Sequence, residues 1–340
     1  MADKTRPGLD LEFQQLEITD VKETGKELGR GSYGEVREAD WRGTRCATKR
    51  LHNVFLSVAS RQGRNKPLVD FISECHTWSR LRHPNIVQLL GVVFEEGSNL
   101  PVLVLEIMPT TLRIHLETRG KREFLMEQKI DVLHQVALGL AYLHGQNQVH
   151  RDLSTNNILL HPGHCTAKIT DFGVTRAINS DREHQTGSTV VPGTYAFMPP
   201  EVFDVPPRYN DRADVFSLGC VILSTLSHAW PQPLAAKVKK DGKLVALSEL
   251  ERRAQYFDGL SQAERTLFQS HIELCLEEEA DGRPSSLSIA EDLGELQRCY
   301  RGQSLEERVH ELEAVVGSLD ECISDLRAKN EELMQANTVS

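Results

Sequence analysis

His150-Arg151-Asp152-Leu153-Ser154-Thr155-Asn156-Asn157 reads H-R-D-L-x-x-x-N, and Asp171-Phe172-Gly173 follows fourteen residues after Asn157. The two stretches carry a carboxylate, an amide and a second carboxylate. Moving a phosphoryl group requires a carboxylate to orient the attacking hydroxyl, and oxygen ligands for a Mg²⁺ held between phosphates. Asp152 suits the first task, Asn157 and Asp171 the second.

Upstream, Gly29-Arg30-Gly31-Ser32-Tyr33-Gly34-Glu35-Val36 reads G-x-G-x-x-G-x-V. Glycines let a backbone approach phosphate oxygens closely and present N–H donors to them. A dinucleotide-binding turn has the same glycine spacing, but it runs from a strand into a helix. Here the loop leads into further β-rich runs at 35–39 and 45–49, the second ending in Cys46-Ala47-Thr48-Lys49. One more such run lies at 101–106. Between them, Leu68, Phe71, Ile72, Cys75, Trp78 and Leu81 fall at helical spacing over 68–81. From 110 to 299 the helical pattern dominates, with periodic segments at 130–144, 215–226, 261–275 and 285–300. Residues 174–198 form a long polar segment, and a loop of that length inside a compact domain is usually functional.

Taken in order, the glycine loop, Lys49, Glu74, H-R-D-L-x-x-x-N, D-F-G and Pro199-Pro200-Glu201 resemble the eukaryotic protein kinase domain. The resemblance implies an α+β, bilobal fold over 21–298, with a β-rich N-lobe at 21–108 carrying one helix and a helical C-lobe at 109–298. Residues 1–20 are read as a lead-in. It implies ATP and Mg²⁺ as cofactors and a protein as substrate. Asp152 would be the catalytic base, with Lys49 on the α- and β-phosphates, Glu74 paired to Lys49, and Asn157 and Asp171 on the metal. Gly29, Gly31 and Gly34 would cover the phosphates. Leu28, Val36, Ala47 and Leu159 would sandwich adenine, and Leu105, Glu106 and Met108 would form the hinge segment. Trp78, Leu89, His150 and Phe172 would stack through both lobes. Glu201 and Arg283 would pair, and Asp214 would support the backbone of the H-R-D segment.

Specificity is harder to read. The loop offers Ser154, Thr155 and Asn156 where serine/threonine kinases usually have a lysine and tyrosine kinases an arginine. That leaves the transferring charge less screened. Gly193-Thr194-Tyr195-Ala196-Phe197-Met198-Pro199-Pro200-Glu201 resembles the serine/threonine pattern, and 153–160 resembles the tyrosine-kinase-like group. The reading therefore favours serine/threonine transfer in signal transduction. Tyrosine or dual specificity, and a weakly active scaffold, are the alternatives. The resemblance implies that Arg151 is a buried cation that takes an anion, often a loop phosphate, with Ser180, Thr186, Ser188 and Thr189 as candidate acceptors.

The remaining features bound the reading. The 340 residues carry a net charge of −10, with 39% hydrophobic and 26% charged side chains, as in a globular chain. No basic block suggests nucleic acid. The longest apolar run, near 215–226, is about a dozen residues, too short to span a membrane. Met1-Ala2-Asp3-Lys4 has neither an apolar signal core nor a glycine at position 2. The seven cysteines are scattered without a C-x-x-C. These features point to reduced thiols and a cytoplasmic location, without nucleic-acid or membrane partners. Leu305, Leu312, Leu319, Leu326 and Leu333 recur every seven residues, with Val309, Val316, Ile323 and Asn330 offset by four. That is a coiled-coil pattern over 303–337, and β-branched residues opposite leucine favour a parallel homodimer through 305–333.

Overall fold

The computed structural model describes residues 17–30, 34–51, 75–95, 101–118, 123–161, 163, 165–171, 196–203, 209–228, 237–240, 243–246, 265, 269, 271 and 273–302. Five antiparallel strands form the N-terminal sheet: β1 (Val21–Arg30), β2 (Gly34–Trp41), β3 (Thr44–Leu51), β4 (Leu89–Phe94) and β5 (Pro101–Glu106), in the order β1-β2-β3-β5-β4. Strand side chains alternate between faces. Accordingly Ala47, Leu103 and Leu105 join the main core beneath the sheet. Cys46, Val104 and Ala39 form a small cluster on the other face, with Ile18, Val21 and Trp41 packed against it. Edge strand β1 is half charged and mostly exposed. Charge on an edge discourages pairing with other chains. Glu23 of this strand accepts from Thr48 Oγ1 at 2.7 Å and from Arg50 at 2.5 Å.

Among the described residues the C-terminal half is built chiefly on the helices α1 (Leu112–Thr118), α2 (Met126–Gly145), α3 (Asp211–Ser227) and α4 (Ser286–Arg301). Every residue of α3 from Ala213 to Ser227 is buried. A helix apolar on all sides is a core helix, and among the described residues no helix is long and apolar enough to cross a membrane. Asn210 starts α3 by accepting from Ala213 N–H, and Ser285 starts α4 by accepting from Ser288 N–H. Such caps satisfy donors that the first turn leaves open.

The expectation that helical pattern dominates beyond Thr110 needs one correction. The half also holds a three-stranded sheet, β6 (Thr110–Thr111), β7 (Ile158–His161) and β8 (Thr166–Ile169), and a hairpin, β9 (Lys237–Lys240) with β10 (Lys243–Ala246). Strands of two to four residues are too short for their alternation to register in a sequence. Residues 75–80 are helical, Leu81 lies just past the helix end, and 68–74 lie outside the described residues. So do the 174–195 part of the long loop and the whole heptad tail.

A short seam joins the halves. Val87 N–H donates to Ile169 at 2.9 Å, and Ile169 N–H donates to Asn85 at 2.9 Å. The buried Asn85 amide donates to Gln135 and to the Ala167 carbonyl. Gly139 of α2 makes this approach possible: a Cβ there would lie 2.7 Å from the Asn85 carbonyl oxygen. Trp78, bulky for its place, is wholly buried and donates its indole N–H to the Val87 carbonyl at 2.7 Å.

Candidate active site

A cavity of about 570 Å³ lies between the N-terminal sheet and the segment 152–171. Ligand pockets of roughly 300–1,000 Å³ hold molecules of nucleotide size. Its apolar lining comes from Leu28, Val36, Ala47, Leu105, Met108 and Leu159. Gly29, Gly34 and the Glu106 turn border it as well, joined by Val87, Thr110, Thr111 and Ile114, which no motif had marked. A Cβ on Gly29 would meet nothing within 4 Å, so its glycine is not forced by neighbours in the chain. It leaves room for something else to approach. Gly31, Glu74 and Phe172 lie outside the described residues.

The polar wall gathers Lys49, Asp152, Asn157 and Asp171. Lys49 sits in the middle of the sheet, with Val36 beside it on β2 and Leu103 on β5. It is buried, and its ammonium lies 2.6 Å from Asp171 Oδ2. Asn157 Nδ2 reaches Asp152 twice, at 2.7 Å to the carbonyl oxygen and 2.9 Å to the carboxylate. With the nitrogen so engaged, the amide presents its oxygen as the end left for a ligand. An amide oxygen and the Asp171 carboxylate form a hard-oxygen donor pair, which fits Mg²⁺.

The backbone that carries Asp152 is held from below. Asp214, buried in α3, accepts from His150 N–H at 2.6 Å and from Arg151 N–H at 2.8 Å. His144 Nε2 approaches the same carboxylate at 2.9 Å, and Ser286 Oγ lies 2.7 Å from His144 Nδ1. Arg151 and Asp171 have φ of 68° and 64°. Left-handed backbone at non-glycine residues costs of order 1–3 kcal/mol and persists where the surroundings over-determine it. The two bonds to Asp214 do this at Arg151, whose guanidinium lies 5.3 Å from the centre of the Tyr209 ring.

His150 is fully buried, and burial pushes its imidazole below the ordinary histidine range, against the pull of Asp214. Farther out, Glu201 and Arg283 form a buried two-pronged pair at 2.6 and 2.9 Å. At the hinge, both carboxylate oxygens of Glu106 are met by Lys168 of β8, at 2.8 and 2.9 Å. These residues are 62 positions apart, and nothing in the sequence linked them.

Sheet, cavity and polar wall together define a two-lobed fold with a nucleotide-sized cavity. The sequence pattern of the protein tyrosine and serine/threonine kinase family matches residues 22–293, and the chain belongs to that family. It is 31% identical over 302 residues to "Probable serine/threonine-protein kinase SIS8" of Arabidopsis thaliana, covering 87% of this chain and 26% of that protein. It is 33% identical over 228 residues to the serine/threonine-protein kinase CTR1 of the same plant, covering 66% and 26%. A seven transmembrane domain-containing tyrosine-protein kinase of Dictyostelium discoideum is 32% identical over 272 residues, covering 77% and 36%. The chain thus spans about a third or less of the length of these relatives.

Proposed function

We propose that this chain is an ATP- and Mg²⁺-dependent kinase that phosphorylates serine and threonine hydroxyls of protein substrates in signalling. The observation that carries the reading is the convergence of Lys49, Asp152, Asn157 and Asp171 on one nucleotide-sized cavity. The acceptor hydroxyl oxygen attacks the terminal phosphorus and its proton passes to the Asp152 carboxylate. The bond between that phosphorus and the bridging oxygen breaks, and ADP departs. Lys49 binds the inner phosphates. The hinge at Glu106 and Met108, with Leu28, Val36, Ala47, Leu105 and Leu159, holds the base. Gly29, Gly31 and Gly34 cover the phosphates, and Glu74 steadies Lys49. Asn157 and Asp171 would hold Mg²⁺, which would offset the phosphate charge.

Serine/threonine specificity is supported by the 193–201 pattern and by the names of two of the three relatives. The third is a tyrosine kinase, which keeps tyrosine transfer as the second reading. The heptads support a homodimer through 305–333 that raises local concentration for phosphorylation between chains. The scattered cysteines, without a C-x-x-C, support a reducing cytoplasmic setting.

The test is transfer of ³²P from γ-labelled ATP to a generic protein, with phosphoamino-acid analysis. Label on serine and threonine with the wild type, and loss of transfer in Asp152→Asn, are expected. Equal counts from both would leave a scaffold, and label on tyrosine would reverse the specificity.

A further inference from the structure

Ser154 lies two residues beyond Asp152 and lines the same cavity as Asp152, Asn156, Asn157 and Asp171. It is 1% exposed. Its hydroxyl oxygen is covered and has no hydrogen-bond partner among the described residues. Buried hydroxyls are nearly always paired, and an alanine would fill almost the same space here. The backbone around it is fixed, because Asn157 N–H donates to the Ser154 carbonyl at 3.0 Å and Arg113 N–H donates to the Thr155 carbonyl at 2.9 Å. Only the hydroxyl is unanchored, and rotation about one bond carries it between staggered positions.

What it meets follows from its neighbours. Asp152 is an acceptor and serves the incoming hydroxyl. Asn157 has turned its nitrogen to Asp152, and Lys49 is engaged with Asp171. The stretch 153–156 contains no cation. The missing element at this point is a donor aimed at developing negative charge, and a hydroxyl supplies one without a second charge.

We infer that Ser154 donates a hydrogen bond to the terminal phosphoryl group of the bound nucleoside triphosphate, as a neutral substitute for a basic loop residue. The inference rests on the proposed function. Thr155 provides an internal control. Its hydroxyl is also buried and unpartnered among the described residues, yet Thr155 does not line the cavity.

The experiment is calorimetric titration of the full chain, in Mg²⁺, with the non-hydrolysable triphosphate AMP-PNP and with ADP. Wild type, Ser154→Ala and Thr155→Val are compared after their melting curves are matched. Ser154→Ala weakens AMP-PNP about three- to tenfold, the range of one net hydrogen bond, and leaves ADP within about twofold. Thr155→Val changes neither. An unchanged AMP-PNP affinity in Ser154→Ala, or an equal loss for both nucleotides, overturns the assignment while leaving the kinase reading intact. A wild-type chain that binds neither nucleotide overturns both.

Discussion

The imidazole of His150 accepts the backbone N–H of Asp152 at Nδ1, 3.2 Å away, while its Nε2 lies 3.0 Å from the Thr170 carbonyl. The ring therefore donates through Nε2 and accepts through Nδ1, which only neutral histidine does. A second proton would face the Asp152 N–H and undo the bond that holds the Asp152 backbone.

The pH dependence follows. Burial lowers the folded-state value of His150, whereas an unfolded histidine titrates near 6.5. As pH falls through about 6.5 the unfolded chain takes up a proton that the folded chain does not, so stability is lost on the acid side and is complete above it. Urea midpoints are expected to decline from pH 7.5 to 5.5. His150→Phe is expected to be less stable at pH 7.5 by about 1–3 kcal/mol, yet to lose less on acidification. His83 and His134, also lowered by burial, keep some slope in the variant. An identical slope in both proteins would contradict the argument.

Asn157→Asp tests the amide's double reach to Asp152. It replaces a donor with a second carboxylate, and like charges hold one of the pair protonated. Initial transfer rates at saturating ATP are expected to fall by at least about 10²-fold, with the acid limb of the rate profile moved to higher pH. A rate within a fewfold of wild type counts against the base role of Asp152.

Gly139→Ala sets helix propensity against packing. Alanine gains about 1 kcal/mol within a helix. The new methyl, however, meets the Asn85 carbonyl oxygen at 2.7 Å, and backbone does not yield as a side-chain tip would. Overpacking of this kind costs about 1–3 kcal/mol, so denaturant unfolding should report a net loss. Gly145→Ala, which meets nothing within 4 Å, should be neutral or stabilising. Equal effects at both positions would mean that the seam is not tight.

Arg283 uses its whole donor set. Nε donates to Glu277, the two terminal nitrogens to Glu201, and each of those to one further carbonyl, of Arg212 and Glu278. The guanidinium also lies 5.0 Å from the centre of the Phe216 ring. Glu201→Ala strands a buried cation, and the expected loss is about 3–5 kcal/mol by chemical unfolding. A cost under about 1 kcal/mol would show that the pair is dispensable.

The residues most legible in the sequence were those whose side chains do chemistry in short motifs. His150 to Asn157 and Asp171 announce themselves because a carboxylate, an amide and a carboxylate at that spacing have few other uses. Asp214 and Arg283 were readable only through resemblance, since a lone acid or base in sequence looks the same on a surface as in a core. Lys49 was expected to pair with Glu74. Within the described residues its partner is Asp171, a contact between lobes that no local spacing encodes. The pairing of Glu106 with Lys168, the closeness of Gly139 to Asn85, and the two-residue strand β6 are products of packing. They become visible only once the chain is folded.

The seam at Asn85–Val87 has a mechanical consequence. Hydrogen bonds that run both ways between this stretch and Ile169 act as a pivot, so that rocking of one half on the other turns about a line through it. Points near an axis travel least. Asp171 stands two residues past Ile169 and so would travel little in such a swing.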